Sequence, residues 1–157
     1  GGLPLAAFGG KKKYMDFVTN GKMAHFGTFN GNPLAMAGVR AIDRICSDEA
    51  LAVAEEFNLQ ALTRIGDIID EYQLPAHTVG FGVKGCVTWS TTPVRNYRDY
   101  KATDFGVAEA HWLFAINRGI ITPPGLDEQW LISLAHGQTE IDLLVEDFRE
   151  FAKALRS

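Results

Sequence analysis

The sequence predicts an α+β fold with a mostly antiparallel sheet. Three observations carry that expectation. Residues 77 to 90 alternate like a hairpin, two long stretches before and after it keep helical rhythm, and the tail is an amphipathic helix. The order after the first third is helix, hairpin, helix, two short strands and helix.

Taken in order, Leu3 to Phe8 is a short apolar run between glycines and predicts a buried strand. Lys12 to Val18 predicts a short helix with Tyr14, Phe17 and Val18 inward, and Asn20-Gly21 a turn. Leu34, Ala35, Val39, Ile42 and Cys46 recur at helical spacing, so Pro33 to about Cys46 predicts a helix. Ser47 is the expected cap of a longer helix, with Asp48 and Glu49 at its positive end and a stop before Pro75. The near-continuity of these two helices predicts a hinge near Ser47 and a domain boundary there, dividing residues 1–46 from 47–157.

His77 to Val83 and Cys86 to Ser90 are the expected hairpin strands, with Lys84-Gly85 as the turn. Thr91 to Ala102 is polar and predicts a surface loop. Thr103 is the expected cap of a helix whose face is Val107, Ala110, Leu113, Phe114 and Asn117, and Gly119 suits its end. Ile120 to Thr122 and Trp130 to Leu134 predict strands around the turn Pro123-Pro124-Gly125. Thr139, with Asp142 after it, predicts a capped start to the last helix. Ile141, Leu144, Phe148, Phe151 and Leu155 form that helix's apolar side.

Composition bounds the function. The 157 residues are 46% hydrophobic and 22% charged, which suits a soluble globular protein. A net charge of −4 argues against nucleic acid as a partner, and Lys11-Lys12-Lys13 reads as a solvated turn. Cys46 and Cys86 are too few for a disulfide scaffold, which favours a reduced, cytoplasmic setting. No apolar run is long enough to span a bilayer and no signal peptide is visible, so no membrane partner is expected. His25, His77, His111 and His136 are scattered without ligand spacing, so no metal site is expected. A Gly-x-Ser-x-Gly elbow and a Walker loop are both missing from the sequence.

One stretch organises the chemistry. His25-Phe26-Gly27-Thr28-Phe29-Asn30-Gly31-Asn32-Pro33-Leu34-Ala35-Met36 is a glycine-loosened loop that enters a helix, with Asn32 as N-cap and Pro33 at the first helical position. Gly27 and Gly31 permit unusual backbone or close approach, and Thr28 adds a hydroxyl between them. N–H and O–H donors ahead of a helix N-terminus suit an anion such as a phosphate. The same residue types also make ordinary turns that bind nothing, in which the Thr28 hydroxyl caps the local bend.

The string Gly-Thr-Phe-Asn-Gly-Asn-Pro-Leu-Ala-Met-Ala-Gly resembles the loop-to-helix segment of class III aminotransferases, fold type I enzymes that use pyridoxal phosphate. The nearest likeness is to their glutamate-1-semialdehyde aminomutase branch. Gly1-Gly2-Leu3-Pro4-Leu5-Ala6-Ala7-Phe8-Gly9-Gly10 resembles the segment that follows the cofactor lysine, and the likeness runs in order along the whole chain.

The resemblance implies an α/β PLP-transferase fold type I, of which this is the C-terminal portion. Residues 1–46 would be the end of the large cofactor domain with its linking helix, and residues 47–157 the small α+β domain. It implies that Gly27 and Thr28 contact the phosphate of a cofactor held mainly by the neighbouring subunit, hence a homodimer. It implies that the Schiff-base lysine and the aspartate for the pyridine nitrogen lie upstream of Gly1. The chain alone is therefore expected not to transaminate.

The family's carboxylate-binding arginine has no counterpart in Trp130 to His136, and Glu128 matches a glutamate of the aminomutase branch. Glu128 is then expected to line the substrate entrance and steer an amino group or a gating arginine; a solvated loop carboxylate is the other reading. Gly125 to Trp130 departs from the aminomutase wording and resembles β-amino-acid transaminases as well. Two functions stay open: part of a PLP-dependent aminotransferase or aminomutase acting on an amino acid or amino-aldehyde, and a non-catalytic α+β interaction domain.

Overall fold

A computed structural model describes residues 3–123 and 129–157. Its elements are α1 (Lys12–Thr19), α2 (Pro33–Ile45), α3 (Asp48–Glu71), β1 (His77–Phe81), β2 (Lys84–Thr88), α4 (Tyr97–Tyr100), α5 (Phe105–Asn117), β3 (Trp130–Leu131) and α6 (Gln138–Arg156). The chain divides into two units, Gly1–Ser47 and Asp48–Ser157.

In the first unit, α1 and α2 form where the sequence places them, and Asn20-Gly21 turns the chain. The strand expected over Leu3 to Phe8 does not form. Those residues are irregular and exposed, because among the described residues no neighbouring strand offers them a ladder. Ala35 is the one hydrophobic residue of this unit that is buried among those described.

The second unit is built on α3. Ala54, Ala61, Ile65, Ile68 and Ile69 form its buried side, and the sheet and α6 both pack on it. The sheet has the order β1-β2-β3 and both pairings are antiparallel. α5 packs on α6, whose Ile141, Val145, Phe148 and Phe151 enter the same core as Val87 and Trp89 of the hairpin. Burying each such large side chain contributes about 1.5–3 kcal/mol. Polar ties finish the α3–α6 seam. Arg64 pairs with Asp142 at 2.5 Å, Arg149 with Glu71 at 2.7 Å, and Arg156 Nε donates to the carbonyl of Tyr72 at 2.9 Å.

Several local expectations shift. The hairpin turns at Gly82-Val83 and not at Lys84-Gly85, since Phe81 pairs with Lys84 and Gly85 lies in the ladder opposite Gly80. Gly82 has φ +57°, the conformation that a type II′ turn asks of its first central residue. Asp104, not Thr103, caps α5: its carboxylate accepts from the N–H groups of Gly106 (3.0 Å) and Val107 (3.1 Å). α6 begins at Gln138 with Gly137, two residues before Thr139, at its cap, and the Glu140 carboxylate reaches back to the Gly137 N–H at 2.7 Å. The loop expected over Thr91 to Ala102 holds the short helix α4, capped by Asn96. Ile120 to Thr122 is not a strand, and the strand expected to Leu134 ends at Leu131.

Candidate functional site

The loop before α2 is two turns in succession. The N–H of Asn30 donates to the carbonyl of Gly27 at 3.0 Å, and the N–H of Asn32 donates to the carbonyl of Phe29 at 3.1 Å. Gly31 takes φ +68° in the second turn, a conformation that glycine reaches without strain. The Asn30 side chain folds over Gly27, where a Cβ would collide with its amide. The Asn30 amide also meets a ring nitrogen of His25 at 3.3 Å, and His25 stands edge-on to Phe8 with centroids 4.9 Å apart. The loop is thus braced from behind by side chains and open in front.

Asn32 then starts the helix as its sequence suggests. Its side-chain oxygen accepts from the N–H groups of Leu34 (2.9 Å) and Ala35 (3.3 Å), and Pro33 occupies the first turn. Thr28 is exposed, and among the described residues neither its hydroxyl nor its N–H has a partner. No carboxylate lies in the stretch from His25 to Met36. The flanking Phe26 (92% exposed) and Phe29 (74%) leave two aromatic faces uncovered beside those donors. An anion is the ligand that this set of groups can hold.

Glu128 lies outside the described residues. Just after it, Trp130 is buried and its indole N–H donates to Asn58 Oδ1 at 2.7 Å. The Asn58 amide donates in turn to the carbonyls of Gly82 and Lys84, each at 2.8 Å. The N–H of Ile132 donates to the Val83 carbonyl at 2.9 Å. The chain that follows Glu128 is therefore stitched to the hairpin turn and to α3. Sequence reasoning missed Asn58, because a polar residue inside an apolar helix face carries no local sign of its distant partners.

Beside this stitch lies a cavity of about 410 Å³, with Ile120, Thr122, Trp130, Ile132, His136 and Glu140 in its wall. His136 Nδ1 accepts from the Ser133 N–H at 2.9 Å. The Glu140 carboxyl is held below the usual carboxylate range, chiefly by its bond from the Gly137 N–H. Among the described residues, no group of three or more His, Cys, Asp or Glu is placed to hold a metal ion. None of their helices is long and apolar enough to cross a membrane.

No family model matches the chain. A curated relative, glutamate-1-semialdehyde 2,1-aminomutase 2 of Brevibacillus brevis, is 31% identical over 99% of the chain. The chain spans 37% of that relative's length. Along its whole length the chain is homologous to glutamate-1-semialdehyde aminomutases. Two solved structures have the same fold. A β-phenylalanine aminotransferase from Variovorax paradoxus superposes with a TM-score of 0.79 at 23% identity, over 93% of this chain and 34% of that one. A glutamate-1-semialdehyde aminomutase from Pseudomonas aeruginosa PAO1, solved in complex with PMP, gives 0.74 at 20% identity, over 84% of this chain and 31% of that one. The family's fold accounts for the three-stranded antiparallel sheet and its helices as a C-terminal portion of the PLP-transferase architecture.

Proposed function

We propose that this chain is the C-terminal part of a pyridoxal-phosphate-dependent aminotransferase or aminomutase of the glutamate-1-semialdehyde type. In this reading residues 1–46 are the end of the large cofactor domain, and residues 47–157 are the small domain. The enzyme works as a cytoplasmic homodimer on a small amino acid or amino-aldehyde. That Cys46 and Cys86 are not bridged to each other agrees with a reduced compartment. The apolar residues Leu34, Val39, Ile42 and Ile45 of α2, left exposed, agree with a further protein surface against them.

The observation that carries the reading is the pair of unpartnered donors on Thr28, set in an exposed loop that ends at a helix N-terminus. Thr28 fits a phosphate: it offers an N–H and an O–H to an anion held mainly by the neighbouring subunit, beside a Gly27 whose missing side chain leaves room for the bracing Asn30 amide. Bound pyridoxal phosphate supplies an electron sink for the carbon beside the substrate's amino group. In this reading Glu128 lines the substrate entrance and steers an amino group or a gating arginine. The lysine that anchors the cofactor belongs, in this reading, to sequence ahead of Gly1, so these 157 residues alone are inactive.

The test uses the full-length protein loaded with pyridoxal phosphate. Thr28→Ala removes one charge-assisted bond and is expected to weaken cofactor retention by about tenfold or more, with the circular dichroism unchanged. Equal retention by the variant would overturn the assignment of Thr28.

A further inference from the structure

The two outer edges of the sheet are guarded unequally. β3 is only two residues long, and that brevity limits pairing on its outer side. β1 is five residues long, and its register to β2 runs without a bulge. Its sequence, His-Thr-Val-Gly-Phe, has no Lys, Asp, Glu or Pro to discourage a further strand. Among the described residues no strand lies beyond it.

The groups offered at that edge follow from the register. Phe81 and Lys84 flank the two-residue turn Gly82-Val83, so this pair exchanges both backbone hydrogen bonds. Alternation along the ladder then turns the N–H and C=O of Thr78 and Gly80 away from β2. Among the described residues neither Thr78 nor Gly80 has a hydrogen-bond partner on that side.

Apolar groups flank the edge on both faces. Gly80 faces Leu62 of α3, with which a Cβ would collide, so Val79 and Phe81 point to the opposite face. Val79 is 47% exposed and Phe81 91%. On the α3 side lies a groove of about 200 Å³ with Leu59, Leu62 and Gly80 in its wall, and Leu59 is itself exposed.

We propose that the free edge of β1 receives an extended segment of the same polypeptide, from the sequence ahead of Gly1, which pairs with Thr78 and Gly80 and adds a strand to the sheet. This rests on the reading of the chain as the C-terminal part of a longer enzyme. Apolar side chains at alternate positions of the segment meet Leu59 and Leu62 on one face and Val79 and Phe81 on the other. The chain spans 37% of the length of its Brevibacillus brevis relative, which leaves ample polypeptide to supply the strand. A tethered segment also outcompetes a second copy of the chain, because its link has already met most of the entropy cost of association.

Hydrogen exchange of the full-length protein, read residue by residue, tests the pairing. The Thr78 and Gly80 amides are expected to exchange about a hundredfold more slowly than free amides, as paired strand amides do. Fast exchange of either one overturns the proposal. Phe81→Lys replaces a ring that is bare when the edge is open and covered when a strand is added. It is expected to speed exchange at Thr78 and Gly80 by about tenfold, and unchanged rates overturn the proposal. A photo-crosslinking benzoylphenylalanine in place of Phe81, in a mixture of isotopically light and heavy protomers, identifies the occupant. A crosslink to sequence ahead of Gly1 within one protomer supports the added strand. A crosslink to a second copy, to another protein or only within residues 1–157 overturns it, as does none at all. Cofactor retention in Thr28→Ala is a separate readout. Slow edge amides with unchanged retention sink the phosphate assignment alone, and fast edge amides with weakened retention sink the added strand alone.

Discussion

The two units of this chain hold their shape by different means. Asp48–Ser157 has a continuous core in which Phe148, Ile65, Ile68 and Ile141 are almost wholly shielded. Gly1–Ser47 buries one hydrophobic residue among those described, and keeps its form through caps, successive turns and side-chain braces. Burial tolerates loose local rules, whereas a segment without a core depends on each local hydrogen bond. The candidate anion loop lies in the second kind of structure, where backbone donors can be left unpaired at the surface.

Three substitutions in the full-length protein grade that contrast, each read by thermal or denaturant unfolding. Phe148→Ala empties the centre of the larger unit and is expected to cost about 3–5 kcal/mol. Asn58→Ala strips the acceptor from the buried indole of Trp130 and two donors from the hairpin turn, for about 2–3 kcal/mol. Asn32→Ala removes the cap of α2 and is expected to cost only about 1 kcal/mol. Should Asn32→Ala prove as damaging as Phe148→Ala, the contrast between the units fails. A milder Asn58→Ala would shift the hold on the segment after Glu128 from hydrogen bonding to packing.

Features written in neighbouring residues were legible from the sequence. The Asn32-Pro33 start of α2 formed as read, and so did the long helix after Ser47 and the apolar side of α6. Misreadings arose where a distant partner decides. Lys84-Gly85 looks like a turn, but Gly85 serves the ladder and Gly82 takes the bend. Leu3 to Phe8 has strand composition and no strand beside it among the described residues. Asp104 outcompetes Thr103 as a cap because its N–H is already tied to the Trp89 carbonyl at 2.8 Å, which fixes where α5 begins. Arg118 and Asp147 meet only after α5 and α6 have packed, so nothing nearby in the chain announces them. At the candidate site, the loop and its cap were readable, while the brace from His25 through Asn30 was not.

A β-carbon on Gly85 would collide with the indole of Trp130. Any side chain at Gly85 would therefore have to displace the ring that caps the strand, and with it the indole N–H that Asn58 holds.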